Sequence, residues 1–187
     1  MELLLRRREM MQEKKPVVQR LYLYDYGDEF SSVTGGWRNY GYNNRATSGY
    51  GVYATKEATY LALGRNTSNT ANFAVTFSTT NAIDLSPYSK IVIEYELYKS
   101  VSSSVGNAWI YLPTTIANAS TQADAFGSDY SDSSKRKFVS SVTTKPKETL
   151  SINLGASDQT AYIAINLDMW SSPKQTYIRV YSVYLEK

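Results

Sequence analysis

Lys90-Ile91-Val92-Ile93-Glu94-Tyr95-Glu96-Leu97-Tyr98-Lys99 is the stretch that decides the fold. In an extended chain successive side chains point to opposite sides, so Ile91, Ile93, Tyr95 and Leu97 share the greasier face and Glu94, Glu96 and Tyr98 the other. A helix, with its period of about 3.6 residues, cannot gather apolar side chains taken at every second place. The stretch reads as a strand buried on one side, and such a strand needs a second layer to cover it.

The same alternation runs outward in both directions. Phe73, Val75 and Phe77 share a face in 72–78, as do Leu150, Ile152 and Leu154 in 148–154. Ile163, Ile165 and Leu167 do so in 161–168, with Tyr162, Ala164 and Asn166 opposite. In 176–185 the phase slips after Val180, from Ile178 and Val180 to Val183 and Leu185, as a bulge near Tyr181 would produce. Further strands are expected at 20–26, 37–42, 59–63, 107–112 and 136–142, separated by segments rich in Gly, Ser, Thr, Asn and Pro. The segments 43–50, 64–71, 100–106 and 114–135 read as loops, the last the longest and most hydrophilic. About ten short strands suggest an all-β, jelly-roll β-sandwich of two antiparallel sheets, since a single open sheet that wide leaves a face unburied.

Ahead of the strands, residues 2–15 are rich in Leu, Met, Glu, Arg, Lys and Gln, and Pro16 ends the run, which predicts a short N-terminal α-helix. Leu3, Met10 and Val17 recur at heptad spacing, as do Leu4, Met11 and Val18, but Arg7 and Arg8 interrupt the seam. A helix this short is marginal alone, so the segment is either a loosely ordered leader or a docking or oligomerising surface of Leu3, Leu4, Arg7, Met10 and Met11. The expected organisation is a basic segment 1–18 followed by one sandwich domain, 19–187, which suits a chain of 187 residues.

The charge supports that division. The net charge is +3, and residues 1–20 hold six basic and three acidic side chains, leaving fourteen of each sign in the remainder. A neutral main domain argues against nucleic acid as partner. The apolar run Leu3–Leu5 is too short for a signal-peptide core or a membrane span, so neither a leader nor membrane insertion is expected.

The chain has no Cys and no His. Disulfides, thiolate metal sites, the usual general base near neutral pH and the ordinary partner of a nucleophilic Ser are therefore ruled out. No Gly-rich phosphate loop, nucleophile elbow or zinc motif is present. Glu94 and Glu96 stand about 7 Å apart on one strand face, a separation within the range of inverting glycosidases, but a solvated polar face accounts for them better. Asp124, Asp129 and Asp132, or Asp25, Asp28 and Glu29, could gather around a structural calcium ion, yet neither group has EF-hand spacing. The expectation is no cofactor, no metal and no catalytic residue.

What remains is the aromatic surface. The chain has 17 Tyr against 5 Phe and 3 Trp, and Tyr recurs on strand faces opposite the aliphatic ones. If Ile110 and Leu112 point to the core, Trp109 and Tyr111 point away from it as neighbouring rings. Trp37, Tyr40 and Tyr42, after the turn Thr34-Gly35-Gly36, form a second cluster, and Trp170 with Tyr162 a third. Flat rings among small polar residues suit sugar rings or a protein partner.

Four stretches carry a resemblance. Leu3-Leu4-Leu5-Arg6-Arg7-Arg8-Glu9-Met10-Met11 and Leu23-Tyr24-Asp25-Tyr26-Gly27-Asp28-Glu29, with Thr34-Gly35-Gly36-Trp37, resemble small tail-associated structural proteins of phages and prophages of gut bacteria. Ile83-Asp84-Leu85-Ser86-Pro87-Tyr88 and Ile178-Arg179-Val180-Tyr181-Ser182-Val183-Tyr184-Leu185-Glu186 are similar to carbohydrate-binding jelly rolls. The resemblance implies a non-enzymatic virion module, made in the bacterial cytoplasm and released by lysis. Such a module docks other virion proteins through its N-terminal helix, assembles as a homo-oligomer and displays aromatic residues to a host surface polysaccharide. Two other readings stay open: a decoration or joining protein with Tyr-rich subunit interfaces, and a polysaccharide hydrolase.

Overall fold

The structure is a computed structural model. It describes residues 18–25, 37–42, 52–66, 73–79, 81–117, 126–171 and 174–187. The segment 1–17, which contains the expected docking helix, lies outside the described residues.

Thirteen strands are present among the described residues: β1 (Arg20–Asp25), β2 (Trp37–Tyr42), β3 (Val52–Lys56), β4 (Leu61–Arg65), β5 (Phe73–Thr79), β6 (Ile83–Asp84), β7 (Lys90–Lys99), β8 (Val105–Tyr111), β9 (Arg136–Ser141), β10 (Lys145–Asn153), β11 (Thr160–Ala161), β12 (Ala164–Ser171) and β13 (Thr176–Glu186). One sheet has six strands in the order β10-β7-β13-β4-β3, with β1 also on β13, and the other has five in the order β2-β5-β12-β8-β9. A two-stranded pair, β11 with β6, closes one end. All pairings are antiparallel, and the chain passes repeatedly from one sheet to the other, as a two-sheet sandwich requires.

The interior is the aliphatic face that period two picks out. Ile91, Ile93 and Leu97 of β7 and Ile178, Val180, Val183 and Leu185 of β13 join Val75, Ile110, Ile165 and Leu167 of the other sheet in one buried cluster. Each such side chain contributes about 1.5–3 kcal/mol through burial, so this layer supplies most of the cohesion. Tyr95 belongs to it, and its hydroxyl donates to the Glu148 carboxylate at the sandwich edge.

β13 organises the six-stranded sheet. Its inner edge pairs with β7 along the whole length, with a register shift between Val180 and Ser182 that places the expected bulge at Tyr181. On its outer edge Thr176–Val180 pairs with β4, and Ser182–Glu186 with β1. The bulge lets Ile178 and Val180, then Val183 and Leu185, all reach the core.

Several sequence expectations are corrected, among them the loop 100–106, whose Val105 and Gly106 open β8. Gly64 and Arg65 continue β4 and are not loop, and Val52–Lys56 forms a strand that shows no aliphatic alternation in sequence. The segment 114–135 is not simply a hydrophilic loop: it contains a 3-10 turn at Gly127–Tyr130 preceded by the fully buried Phe126. Phe126 packs with Ala74, Tyr111 and Ala164 in a second small core on the far side of the five-stranded sheet. The outer positions Ala164 and Asn166 of β12 are consequently buried rather than turned to solvent.

Candidate functional site

The outer side of the five-stranded sheet is built from cross-strand rows. Tyr111 of β8 pairs with Ala164 of β12 and Arg136 of β9, Trp109 pairs with Asn166, and Asn107 pairs with Asp168. Residues directly opposite in an antiparallel pair lie close enough for their side chains to touch, so these rows bring Trp109, Tyr111, Arg136, Asn107 and Asp168 onto one patch. β12 is the central strand of this sheet and β8 its neighbour, which makes the patch rigid.

Arg136 is the hub. Its guanidinium carbon lies 4.8 Å from the centre of the Trp109 ring, 5.6 Å from Tyr111 and 5.8 Å from Tyr130. Its Nη2 donates to the Tyr130 carbonyl at 2.8 Å, which clamps the 3-10 turn onto the sheet. The rings of Trp109 and Tyr111 are 6.3 Å apart, and Tyr130 stacks nearly parallel to Tyr111 at 6.2 Å. A guanidinium over ring faces is held by the electrostatic attraction of a cation for the π cloud.

Beside the rings the patch is polar. Burial pushes the Asp168 carboxyl above the ordinary aspartate range, against the opposing pull of the Arg136 charge. Beneath, Thr76 Oγ1 donates to Asn166 Oδ1 at 2.7 Å, so the floor between β5 and β12 is hydrogen-bonded rather than greasy. Asn107, Trp109, Arg136 and Asp168 are all half-buried.

The structure separates the residues singled out from sequence. Trp109 and Tyr111 are brought together as expected, but Tyr111 is 3% exposed, sealed under Phe126 and Tyr130, and is part of the support rather than the open surface. Burial pushes its phenol up to about 12. The backbone sets Tyr162 and Trp170 toward opposite ends of β12. Tyr162 precedes β12, its N–H donating to the Pro113 carbonyl, whereas Trp170 sits near the other end of that strand at a register skip between Met169 and Ser171, roughly 25 Å along the chain. In β2, Trp37 pairs with Thr79 and Tyr40 with Thr76. Tyr26, Asp28, Glu29, Thr34–Gly36 and Asp124 lie outside the described residues.

The carboxylates have local partners. Glu94 pairs with Lys147 at 2.9 Å and Glu96 with Arg179 at 2.7 Å. Asp129 Oδ2 accepts from the Thr114 amide and hydroxyl, both at 2.7 Å, and Asp132 accepts from the Ser134 amide at 2.8 Å. Among the described residues no three acidic side chains are grouped as a metal ion would need.

Arg136, Asp168, Asn107 and Tyr130 escaped the sequence reading. Asn166 and Asp168, two strand-averse residues alternating with Ile165, Leu167 and Met169, were the available signal. Arg136 stood in the basic run 135–137 and gave no hint of the rings beneath it.

Comparison with known proteins is confined to shape. No family model matches the chain, and no curated protein matches it in sequence. A mutant of a family 29 carbohydrate-binding module, made for probing the mechanism of ligand recognition, superimposes with a TM-score of 0.50 at 8% identity, over 91% of this chain and 86% of that one. A family 29 carbohydrate-binding module from Piromyces equi gives 0.49 at 10% identity, over 90% of each chain. The first likeness establishes the fold, an antiparallel β-sandwich of carbohydrate-binding-module type.

Proposed function

We propose that this chain is a non-catalytic module that binds a neutral polysaccharide across the outer side of the five-stranded sheet. The observation that carries the reading is the half-buried Trp109 ring under the Arg136 guanidinium, with Asp168 and Asn107 in the neighbouring row. A sugar ring offers apolar C–H groups on one face and hydroxyls around its rim. It is held by a flat aromatic surface together with donors and acceptors at that surface's edge. Trp109 provides the surface, Arg136 donates, Asp168 accepts and Asn107 does both. Because opposite charges face the same patch, it attracts neither acidic nor basic glycans strongly, which favours a neutral chain. Holding these groups on paired strands limits the entropy lost on binding.

Within this reading residues 1–18 attach the module to a virion, and the protein leaves the cell by lysis. That part is supported by the resemblance of residues 3–11 and 23–37 to phage tail-associated proteins and by the confinement of the positive charge to the first twenty residues. Deleting residues 1–18 should leave a folded sandwich that still binds glycan and no longer joins its assembly.

Calorimetric titration of the whole chain with a soluble galactomannan and a mixed-linkage β-glucan tests the binding itself. Saturable heat is expected, with the share that belongs to the five-stranded face lost in Trp109→Ala. No heat from either polymer or from host surface polysaccharide would remove the proposal, and release of reducing sugar would refute the non-catalytic part.

A further inference from the structure

The outer side of the six-stranded sheet holds a second, separately built array of rings. Tyr177 and Tyr98 stack at 4.9 Å and 20°, and Arg179 lies 4.5 Å from the centre of Tyr177 and 4.8 Å from that of Tyr60. Lys147 Nζ stands 4.5 Å over the Tyr181 ring, and Arg20 lies 4.7 Å over Tyr184, whose centroid is 5.1 Å from that of Tyr22. β13 runs through the middle of this array and supplies Tyr177, Tyr181 and Tyr184.

Two hollows flank the strip. One, of about 330 Å³, is lined by Tyr53, Glu57, Tyr60, Asn66 and Arg179. The other, of about 230 Å³, is lined by Arg20, Tyr22, Asp25, Glu94, Ser182 and Tyr184 among others. Arg179 and Tyr184 are five residues apart on β13, so the hollows are separated by about 15 Å, a length that takes an oligosaccharide rather than a single sugar. Each hollow combines ring surface with hydroxyl, amide or carboxylate groups, the mixture that a polyhydroxylated ring needs.

The charges select the occupant. Arg20 pairs with Glu186 at 3.0 Å, Lys147 with Glu94 at 2.9 Å and Arg179 with Glu96 at 2.7 Å. Cations and anions cancel within these three pairs, and the further acids Asp25 and Glu57 at the hollows disfavour an anionic ligand. Tyr and Arg are common at protein interfaces, but Lys and Glu are depleted there, and Lys147, Glu94 and Glu96 lie among the rings, which weighs against a subunit contact.

We infer that this second face binds a neutral oligosaccharide along β13, so that the module carries saccharide-binding faces on both sides of the sandwich and joins two glycan chains. The inference goes beyond the five-stranded face and stands on different residues. Two-sided binding raises avidity for a polymer with no new contact at either face.

The test titrates the full-length chain with hexasaccharides from a galactomannan and a mixed-linkage β-glucan, and follows light scattering with the parent polymers. The wild type is expected to take up two hexasaccharides per chain and to cross-link the polymer. Tyr60→Ala with Tyr184→Ala should leave one, Trp109→Ala should leave the other, and either should abolish cross-linking. Each change should weaken its own face about tenfold. Tyr184→Phe keeps the ring and should bind as the wild type does, which separates stacking from any loss of folding. Uptake of a single hexasaccharide, lost with Trp109→Ala and indifferent to the tyrosine changes, overturns the inference and leaves the five-stranded face standing. No uptake by the wild type overturns both. An oligomer in sedimentation that the tyrosine changes dissociate makes the face a subunit contact and overturns the inference.

Discussion

The guanidinium of Arg136 rests over the Trp109 ring, with 4.8 Å between its central carbon and the ring centre. The pair joins β9 to β8 and gives the patch both its flat surface and its strongest hydrogen-bond donor. Arg136→Lys keeps the charge but loses the planar fork and the stacking. Polysaccharide affinity should fall about tenfold, equal to ~1.4 kcal/mol, with little change in thermal unfolding. Affinity electrophoresis beside a melting curve measures both.

Tyr111 separates support from contact. Sealed between Ala164, Phe126 and Tyr130, it should behave as a core residue. Tyr111→Ala is expected to destabilise the fold by about 3 kcal/mol in urea unfolding, whereas Tyr111→Phe should cost about 1 kcal/mol by losing one polar contact.

Alkali should unfold the domain through its buried phenols. Burial pushes Tyr53 and Tyr111 up to about 12 from the ordinary 10.0, and Tyr95 is raised further by burial and its bond to Glu148. Above pH 10 the unfolded chain loses these protons while the folded one keeps them, so fewer protons are bound in the unfolded state and stability falls with rising pH. Their contribution is complete below about pH 10 and is lost as the pH climbs through about 12. Urea midpoints across this window, with tyrosinate absorbance recorded in parallel, should show the decline, and a flat profile would contradict it.

Gly64 is required by a close approach. A Cβ there would meet the Thr176 carbonyl oxygen, the Tyr177 Cα at 2.8 Å and the Tyr177 Cβ at 2.7 Å, so β13 would have to move away from β4. Gly64→Ala should cost about 2 kcal/mol, read as a lower urea midpoint at unchanged slope.

Asp158 is buried and bound from two sides, by Lys137 Nζ at 2.9 Å and by the Gly155 amide at 2.8 Å. Asp158→Ala leaves a half-buried ammonium without its partner and should destabilise by about 3 kcal/mol. Asp158→Asn, which keeps an acceptor for the Gly155 amide, should cost less. Chemical denaturation of the two variants side by side distinguishes them.

Much of the fold could be read from individual strands, and the errors have physical causes. The reading placed β7 at its observed limits, and the bulge at Tyr181 was visible because Ile178, Val180, Val183 and Leu185 change phase within one strand. β3 was missed because Tyr53-Ala54-Thr55-Lys56 shows no aliphatic alternation, although it pairs with β4 along its whole length. At the site, Trp109 was legible as an aromatic residue opposite Ala108 and Ile110. Arg136, twenty-seven residues later, was not, because its place beside the ring depends on the register of β9 against β8.

Taken alone, the sequence determined that aliphatic side chains would be buried between two β layers with tyrosines on their far sides. That segregation follows from the two-residue period of an extended chain, a property that needs no distant contact. Only the tertiary structure decided which outer ring stays open. Phe126 folds back over Tyr111 while Trp109 remains half-exposed beneath Arg136, and both outcomes depend on long-range packing that period two cannot encode.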